Sequence, residues 1–279
     1  MKYFIVKKLD NRDSPLVLQI IQKIARVAQA VKWEEVQDPA NAELVIAIGG
    51  DGTLLQAMRI SDEFDIAALG VNIGKLGFLA EIQPEMIEEA IIDIVNGKWF
   101  LDDRVLLRER DCKCIAVNEF YIAPTLSKDT LKYEFFIDGK SSGFHHANGL
   151  VIATPTGSSA YSLSVGGAII QPNAPVFQIT PVAPMSLNSR SVIVGNDSKI
   201  SVRIRLRQGT KYSLVSDGRL VREFDSLDGG GGDDYSPEFH NSYETLHFEK
   251  HQNIAKLMHL DRWNFFEVLK EKLHWNTEI

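Results

Sequence analysis

Cysteine is nearly absent: Cys112 and Cys114 are the only two in 279 residues. Read as positions i and i+2 of one strand they point to opposite faces, poor geometry for a mutual disulfide, so a reducing, cytoplasmic setting is expected. A surplus of positive charge is missing too. Lysine and arginine number 30 against 37 acidic residues, a formal net charge of −7 with a pI near 5.5. That argues against a dedicated nucleic-acid binder, which neutralises phosphates with excess Lys and Arg. No apolar run approaches the roughly 18 to 20 residues that a membrane-crossing helix needs. Met1 to Asp10 carries lysines with no apolar stretch behind it, so a soluble, unsecreted protein with no membrane partner is expected.

Three familiar motifs are absent as well. A P-loop needs four residues between its first glycine and Gly-Lys-Ser/Thr, whereas three separate Gly70 from Gly74-Lys75, and Leu76 follows. Gly50 and Gly52 fit the first two glycines of a dinucleotide fingerprint, but Leu55 stands in the third place, where close helix packing needs glycine. No Gly-x-Ser-x-Gly elbow occurs in the hydroxyl-rich stretch from Gly149 to Gly167, so a serine hydrolase finds little support.

The first third alternates strands and helices. Tyr3 to Val6 is a short apolar run, and Val17, Ile20, Ile21, Ile24, Val27, Ala28 and Val31 share one helical face. Leu44 to Ile48 reads as a buried strand running into Gly49-Gly50-Asp51-Gly52 and a helix over Leu54 to Ile60. Ala67 to Val71 is a second buried strand. Pro84 opens a helix with Ile87, Ala90, Ile91, Ile94 and Val95 inward, closed by Gly97. Such alternation predicts an α/β domain with a parallel sheet and flanking helices.

After about Phe100 the period changes to two. Strands are predicted over Cys112–Ala123, Leu131–Ile137, Leu150–Thr154, Ser191–Val194, Lys199–Arg207, Tyr212–Ser216 and Leu220–Phe224, with Asp138-Gly139 as a hairpin turn. The charges from Arg104 to Asp111 read as a solvated edge, and Leu227 to Ser236 as a polar surface loop. A last helix carries Phe265, Phe266, Leu269 and Leu273 behind Asp261 as its cap, and is expected to return to the first domain. The domains are therefore placed at 1–100, completed by 252–279, and at a β-rich 101–251.

Gly49-Gly50-Asp51-Gly52-Thr53 is the sharpest local signal. Glycines allow the backbone to turn tightly and approach a ligand, and amides at a following helix N-terminus favour phosphate oxygens. An aspartate there can orient a hydroxyl, accept its proton or help hold a metal; the plain alternative is an ordinary cap. The second signal runs from Asn148 to Gly167, a strand entering a Pro/Gly turn dense in small hydroxyl residues, which suits a polar planar ligand or is merely a turn. His247 and His251 offer no third ligand for a metal.

Together these stretches resemble the NAD kinase family. The GGDGT run is similar to its phosphate-site motif, Asn72 to Leu79 to its second glycine-rich turn, Val117-Asn118-Glu119 to its Asn-Glu pair, Gly149 to Gly167 to its longest signature, and Phe265 to Leu269 to its closing helix. The resemblance implies transfer of a phosphoryl group from ATP or polyphosphate, accompanied by Mg, to the 2′-hydroxyl of the adenosine ribose of NAD. It implies Asp51 as the general base or orienting carboxylate, with Gly50, Gly52 and Thr53 shaping the donor-phosphate site. Phe78 would stack near adenine, where the residue alone reads equally as core. Asn118 and Glu119 would hold the adenosine, where the residues alone read as a polar pair at a strand break. Thr156, Ser159, Ala160, Tyr161, Ser162, Leu163 and Ser164 would line the adenosine and nicotinamide pockets, with His146, Asn148 and Ala183 nearby. Asn148 departs from the family's usual aspartate, His146 from its arginine or lysine, and Arg219 from its glutamine. A homodimer or homotetramer is implied. Two rivals stay open at this point, a lipid or sphingoid kinase sharing the GGDGT site and a nucleotide-binding regulatory module without turnover. A phosphofructokinase-like fold ranks lower because the second half is β-rich.

Overall fold

The apolar runs Leu44–Gly49 and Ala67–Asn72 are buried along their whole lengths, as strands covered on both faces must be. They lie at the centre of the first of two units into which the computed structural model divides, Met1–Arg104 with Ile254–Ile279, and Val105–Asn253. The structure describes residues 1–7, 14–74, 77–225 and 243–274. The predicted loop Leu227–Ser236 lies outside the described residues.

In the first unit the elements run β1 (Lys2–Lys7), α1 (Pro15–Ala30), β2 (Glu34–Glu35), β3 (Leu44–Gly49), α2 (Asp51–Phe64), β4 (Ala67–Asn72), α3 (Ile87–Val95) and the start of β5 (Trp99–Glu109). Strands pair in the order β2-β1-β3-β4, all parallel. Ser14 caps α1 through Oγ, which accepts from the Val17 amide at 3.2 Å, and Pro15 fits the first turn because no partner for its missing N–H is needed there. Val17, Ile20, Ile24 and Ala28 of α1 and Ile87, Ala90, Ile91 and Ile94 of α3 join Leu44, Ile46, Ile48, Leu69 and Val71 in one apolar cluster. Side chains alternate across a strand, so Leu54, Ala57 and Met58 of α2 bury on the other face of the sheet.

The second unit holds β6 (Ile115–Ala116), β7 (Glu119–Pro124), β8 (Leu131–Ile137), β9 (Lys140–Ala147), β10 (Gly149–Ala153), α4 (Tyr161–Ser164), β11 (Val176–Val182), β12 (Val192–Gly195), β13 (Ile200–Arg205), β14 (Tyr212–Ser216), β15 (Arg219–Phe224) and the first part of β16 (Tyr243–Leu260). One antiparallel sheet has the order β12-β11-β10-β7-β14-β15 and the other runs β16-β13-β8-β9. Phe120, Ile152, Phe177, Val202, Phe248 and their neighbours fill the core they share. Asp138 (φ 51°) and Gly139 (φ 79°) make the predicted hairpin turn between β8 and β9. The last part of β16 lies parallel to β4 in the first unit, and α5 (Phe265–Leu273) follows it there.

Several expectations are corrected. Helix α2 begins at Asp51, not Leu54, because Gly50 is extended and its carbonyl already accepts from Thr53 and Leu54. Arg104 and Glu109 are each 1% exposed rather than a solvated edge. Arg104 pairs with Asp102 at 2.6 Å, and Glu109 accepts from the Asp111, Cys112 and His247 amides, so their charge is answered inside. Cys112 and Cys114 sit in the turn after β5 rather than on a strand, with Lys113 left-handed between them. Asn264, not Asp261, caps α5, its Oδ1 accepting from Phe266 at 2.8 Å. Of the stripe on that helix only Leu269 is buried, and Val95 of α3 is exposed. Strands β9, β11 and β16 escaped the reading; each mixes polar and apolar residues without a clean alternation.

Candidate active site

One candidate site lies in the first unit. Strand β3 ends at Gly49, where a Cβ would stand 2.1 Å from Thr53 Oγ1; glycine is what allows Thr53 to fold back and bury over the strand end. Asp51 follows in the first turn of α2, where the helix dipole favours a carboxylate. Its side chain turns toward the segment after β4. Oδ2 accepts from the Phe78 amide at 2.8 Å, and Oδ1 from the Leu79 and Ala80 amides at 3.2 Å each. At Gly77 a Cβ would lie 1.9 Å from Asp51 Oδ1, so any side chain there displaces the carboxylate. Buried Asn72 helps shape this turn, its Oδ1 accepting from the Gly74 amide at 2.9 Å. At Gly50 and Gly52 a Cβ would meet nothing within 4 Å, which leaves the backbone open to a ligand beside a helix N-terminus. Phe78 is half-buried, and Lys272 Nζ lies 5.7 Å from its ring centroid.

A second candidate site lies in the second unit and rests on a matching device. Asp217, left-handed at φ 45°, occupies the β14–β15 hairpin turn with Gly218. Its carboxylate accepts from the amides of Val117 at 2.9 Å, Asn118 at 2.8 Å and Glu119 at 3.1 Å. Thr154 secures the same strand break, its Oγ1 donating to the Val117 carbonyl at 2.5 Å and its amide to the Asn118 carbonyl at 2.8 Å. Gly157 lies so close that a Cβ would stand 2.1 Å from the Asn118 carbonyl oxygen. Held this way, Asn118 Oδ1 and Glu119 Oε2 are buried without a hydrogen-bond partner among the described residues. Burial, and after it the Asp217 carboxylate, push the Glu119 carboxyl up to about 7. Orphaned acceptors in a buried polar notch are open to donors from a ligand.

The hydroxyl-rich stretch lies beyond the same end of β10, since Ala153 pairs with Glu119 across β7. Thr156 and Ser159 belong to a 3₁₀ turn, and Ala160 leads into α4, which carries Tyr161, Ser162, Leu163 and Ser164. Tyr161 meets Tyr121 edge-on at 5.2 Å. Ser162 is fully buried, its hydroxyl engaged with Gln178 and Thr180, so it holds the turn together. His146, Asn148 and Ala183 are brought together at the opposite end of β10, about 17 Å away at the usual rise for five residues. There the Asn148 amide donates to the Val182 carbonyl at 2.9 Å, and His146 Nε2 lies 2.7 Å from Thr130 Oγ1. His146 also lines a cavity of about 520 Å³ beside Lys132, Met185 and Arg205.

Sequence reasoning passed over Asp217, Thr154, Gly77 and Gly157. Asp217-Gly218 carries a hairpin signal, but nothing in it points to amides 98 to 100 residues away. Among the described residues no cluster of three or more His, Cys, Asp or Glu side chains has metal-binding spacing, and no helix is long and apolar enough to cross a membrane.

Residues 12–99 match the family model for the ATP-NAD kinase N-terminal domain, and residues 117–228 that for the ATP-NAD kinase C-terminal domain. An NAD kinase of Shewanella piezotolerans is 34% identical over 86% of this chain and 75% of its own length. One of Sulfurimonas denitrificans is 31% identical over 84% of this chain and 78% of its own. Among solved structures, yeast NADH kinase complexed with NADH superposes with a TM-score of 0.78 at 19% identity, covering 100% of this chain and 89% of that one. An Archaeoglobus fulgidus NAD kinase in complex with ATP gives 0.74 at 20% identity, covering 98% and 99%. At those identities the likeness is one of fold. With both family models matched in order along the sequence, and relatives above 30% identity spanning most of it, this chain belongs to the NAD kinase family.

Proposed function

We propose that this chain phosphorylates the 2′-hydroxyl of the adenosine ribose of NAD to give NADP, with ATP as donor. The observation that carries this reading is the Asp51 carboxylate, held by three consecutive amides at a helix start whose neighbours Gly50 and Gly52 are open to a ligand. Phosphoryl transfer asks a protein mainly for positioning and charge neutralisation. Oδ2, which accepts from the Phe78 amide alone, keeps a further lone pair, enough to accept from the 2′-hydroxyl and orient it for in-line attack. The bond from the 2′-oxygen to phosphorus forms as the bond to the leaving ADP oxygen breaks, and the hydroxyl proton passes toward Asp51.

Gly50, Gly52 and Thr53 would shape the donor-phosphate site, with Phe78 stacking at adenine. Asn118 and Glu119 would take the adenosine through the two orphaned acceptors, beside Thr156, Ser159, Ala160, Tyr161, Leu163 and Ser164. A sphingoid or lipid acceptor would need an apolar lining in place of those atoms. Magnesium accompanying the donor would neutralise charge on its phosphates, with Asp51 as the carboxylate that would help hold it, since such an ion needs only one or two protein carboxylates. A homo-oligomer, dimer or tetramer, belongs to the same reading, and His146, Asn148 and Ala183 lie away from the Asn118 end of β10. A reducing cytoplasm is the compartment this reading implies.

Incubation with NAD, ATP and magnesium, followed by chromatography, is expected to yield NADP. Parallel tubes with polyphosphate and with NADH define donor and acceptor range. No NADP from any pairing overturns the assignment and leaves a binding module without turnover.

A further inference from the structure

His259 is fully buried near the end of β16, yet nothing in the phosphoryl-transfer chemistry calls on it. Its Nδ1 lies 2.8 Å from Glu81 Oε2, and the other Glu81 oxygen accepts from the Leu260 amide at 2.9 Å. On its far edge Nε2 is 3.7 Å from Asp102 Oδ2, and that carboxylate is paired at 2.6 Å with Arg104, itself 1% exposed. Trp263 stacks on the imidazole with centroids 3.9 Å apart and planes 16° from parallel. The ring can neither turn nor meet water.

Four ionisable groups in a row are a poor way to stabilise a domain, since desolvation offsets much of their attraction and apolar residues of equal volume often do better. Their placement shows what they secure. Glu81 is the residue immediately after Phe78, Leu79 and Ala80, whose amides hold Asp51. Both of its oxygens are tied to the His259–Leu260 pair, so the carboxyl end of that three-amide segment is fastened to β16. The segment is also tied to β4, where the Asn72 amide donates to the Ile82 carbonyl at 2.8 Å, the Ile82 amide to the Gly70 carbonyl at 3.3 Å, and Asn72 Nδ2 makes a long contact to the Ala80 carbonyl at 3.5 Å. Displacing a reacting group by about 1 Å can lower turnover about 100-fold.

We propose that Glu81 and His259 are positioning residues for the Asp51 carboxylate, fastening the Phe78–Ala80 amides to β16 with Asp102 and Arg104 behind them. The inference rests on the role given to Asp51, and its test has one arm that does not. In Glu81→Ala and His259→Phe, the second of which keeps the ring stack, kcat is expected to fall about 10- to 100-fold while KM for NAD stays within about twofold. Hydrogen exchange at the Phe78, Leu79 and Ala80 amides should quicken at least about tenfold, beyond any change at α1 or α3 amides. His259→Asn, whose amide can replace the Nδ1 contact, should recover much of both. The near-isosteric Glu81→Gln keeps the measurement possible if the harsher variants fold poorly, and is expected to give a smaller change in the same direction.

Unchanged exchange at 78–80 in folded variants overturns the proposal, as does an exchange gain spread evenly over the first unit. Faster exchange with unaltered kcat shows the fastening is real but overturns its catalytic part. Near-normal turnover in Asp51→Asn with faster exchange in Glu81→Ala would remove the role of Asp51 and leave the fastening standing, so the two failures read differently.

Discussion

Asp51 and Asp217 make the same clasp in two unlike settings. Each carboxylate accepts from three consecutive backbone amides, Phe78 to Ala80 in one unit and Val117 to Glu119 in the other. Asp51 stands at the start of a helix after a buried parallel strand, beside glycines open to a ligand. Asp217 sits in a left-handed hairpin turn and holds Asn118 and Glu119, whose Oδ1 and Oε2 have no hydrogen-bond partner among the described residues. On the proposed reading the aspartate of the first clasp is the working group and the amides are scaffold, and in the second the roles are exchanged. One device would then fix a reacting group in one unit and a recognition surface in the other.

The largest effect should come from the first clasp. Asp51→Asn removes the charge and turns an N–H toward amide donors, so turnover is expected to drop by about 10³-fold, with KM for NAD changed only a few-fold, in steady-state assays. Near-normal turnover would demote Asp51 to a structural clasp like its counterpart. Asp217→Asn should invert the pattern, raising KM for NAD about 10- to 100-fold and lowering kcat less than about fivefold; equal losses in both constants would erase the distinction. Gly77→Ala places a methyl where Asp51 Oδ1 now sits and is expected to reduce kcat about 10- to 100-fold, with NAD affinity by calorimetry nearly unchanged.

The smallest effect belongs to Glu119 and reads as a pH dependence of stability. Its folded-state carboxyl is raised from 4.5 to about 7, so the folded chain binds this proton more tightly than the unfolded one. The resulting penalty is absent below about 4.5, grows as pH rises, and is complete above about 7, where it amounts to at most about 3 kcal/mol. Glu119→Gln removes it. Its thermal midpoint relative to the parent should rise by a few degrees at pH 8 and match near pH 4.5. An equal offset at both values would mean that the second clasp does not bury its carboxyl in the free protein.

Legibility followed the range of the interactions. Leu44–Gly49 and Ala67–Asn72 were readable because strands buried on both faces are continuous apolar runs, and Asp138-Gly139 because a tight hairpin demands residues tolerant of positive φ. Strand β5 was not, because Arg104 and Glu109 look like surface residues until the groups that answer them, Asp102 for one and the His247 amide for the other, are in place. The GGDGT turn was legible as a tight strand-to-helix turn, fit for a phosphate or for an ordinary cap. What its aspartate does there was not written in it, since the amides that hold Asp51 come from 27 to 29 residues away.

Composition, periodicity and glycine spacing alone determined an acidic α/β chain with a β-rich second part and a strand-glycine-helix turn built around Asp51. Each of those properties depends on neighbours within a few residues, and the chain carries them unfolded or folded. Only the tertiary structure decided that Asp217 would hold Val117 to Glu119, that Glu81 would meet His259 178 residues away, and that His146 and Asn118 would stand at opposite ends of one strand. A hydrogen bond between distant residues leaves no local pattern, because nothing about either partner's neighbours changes until the backbone has brought them within about 3 Å.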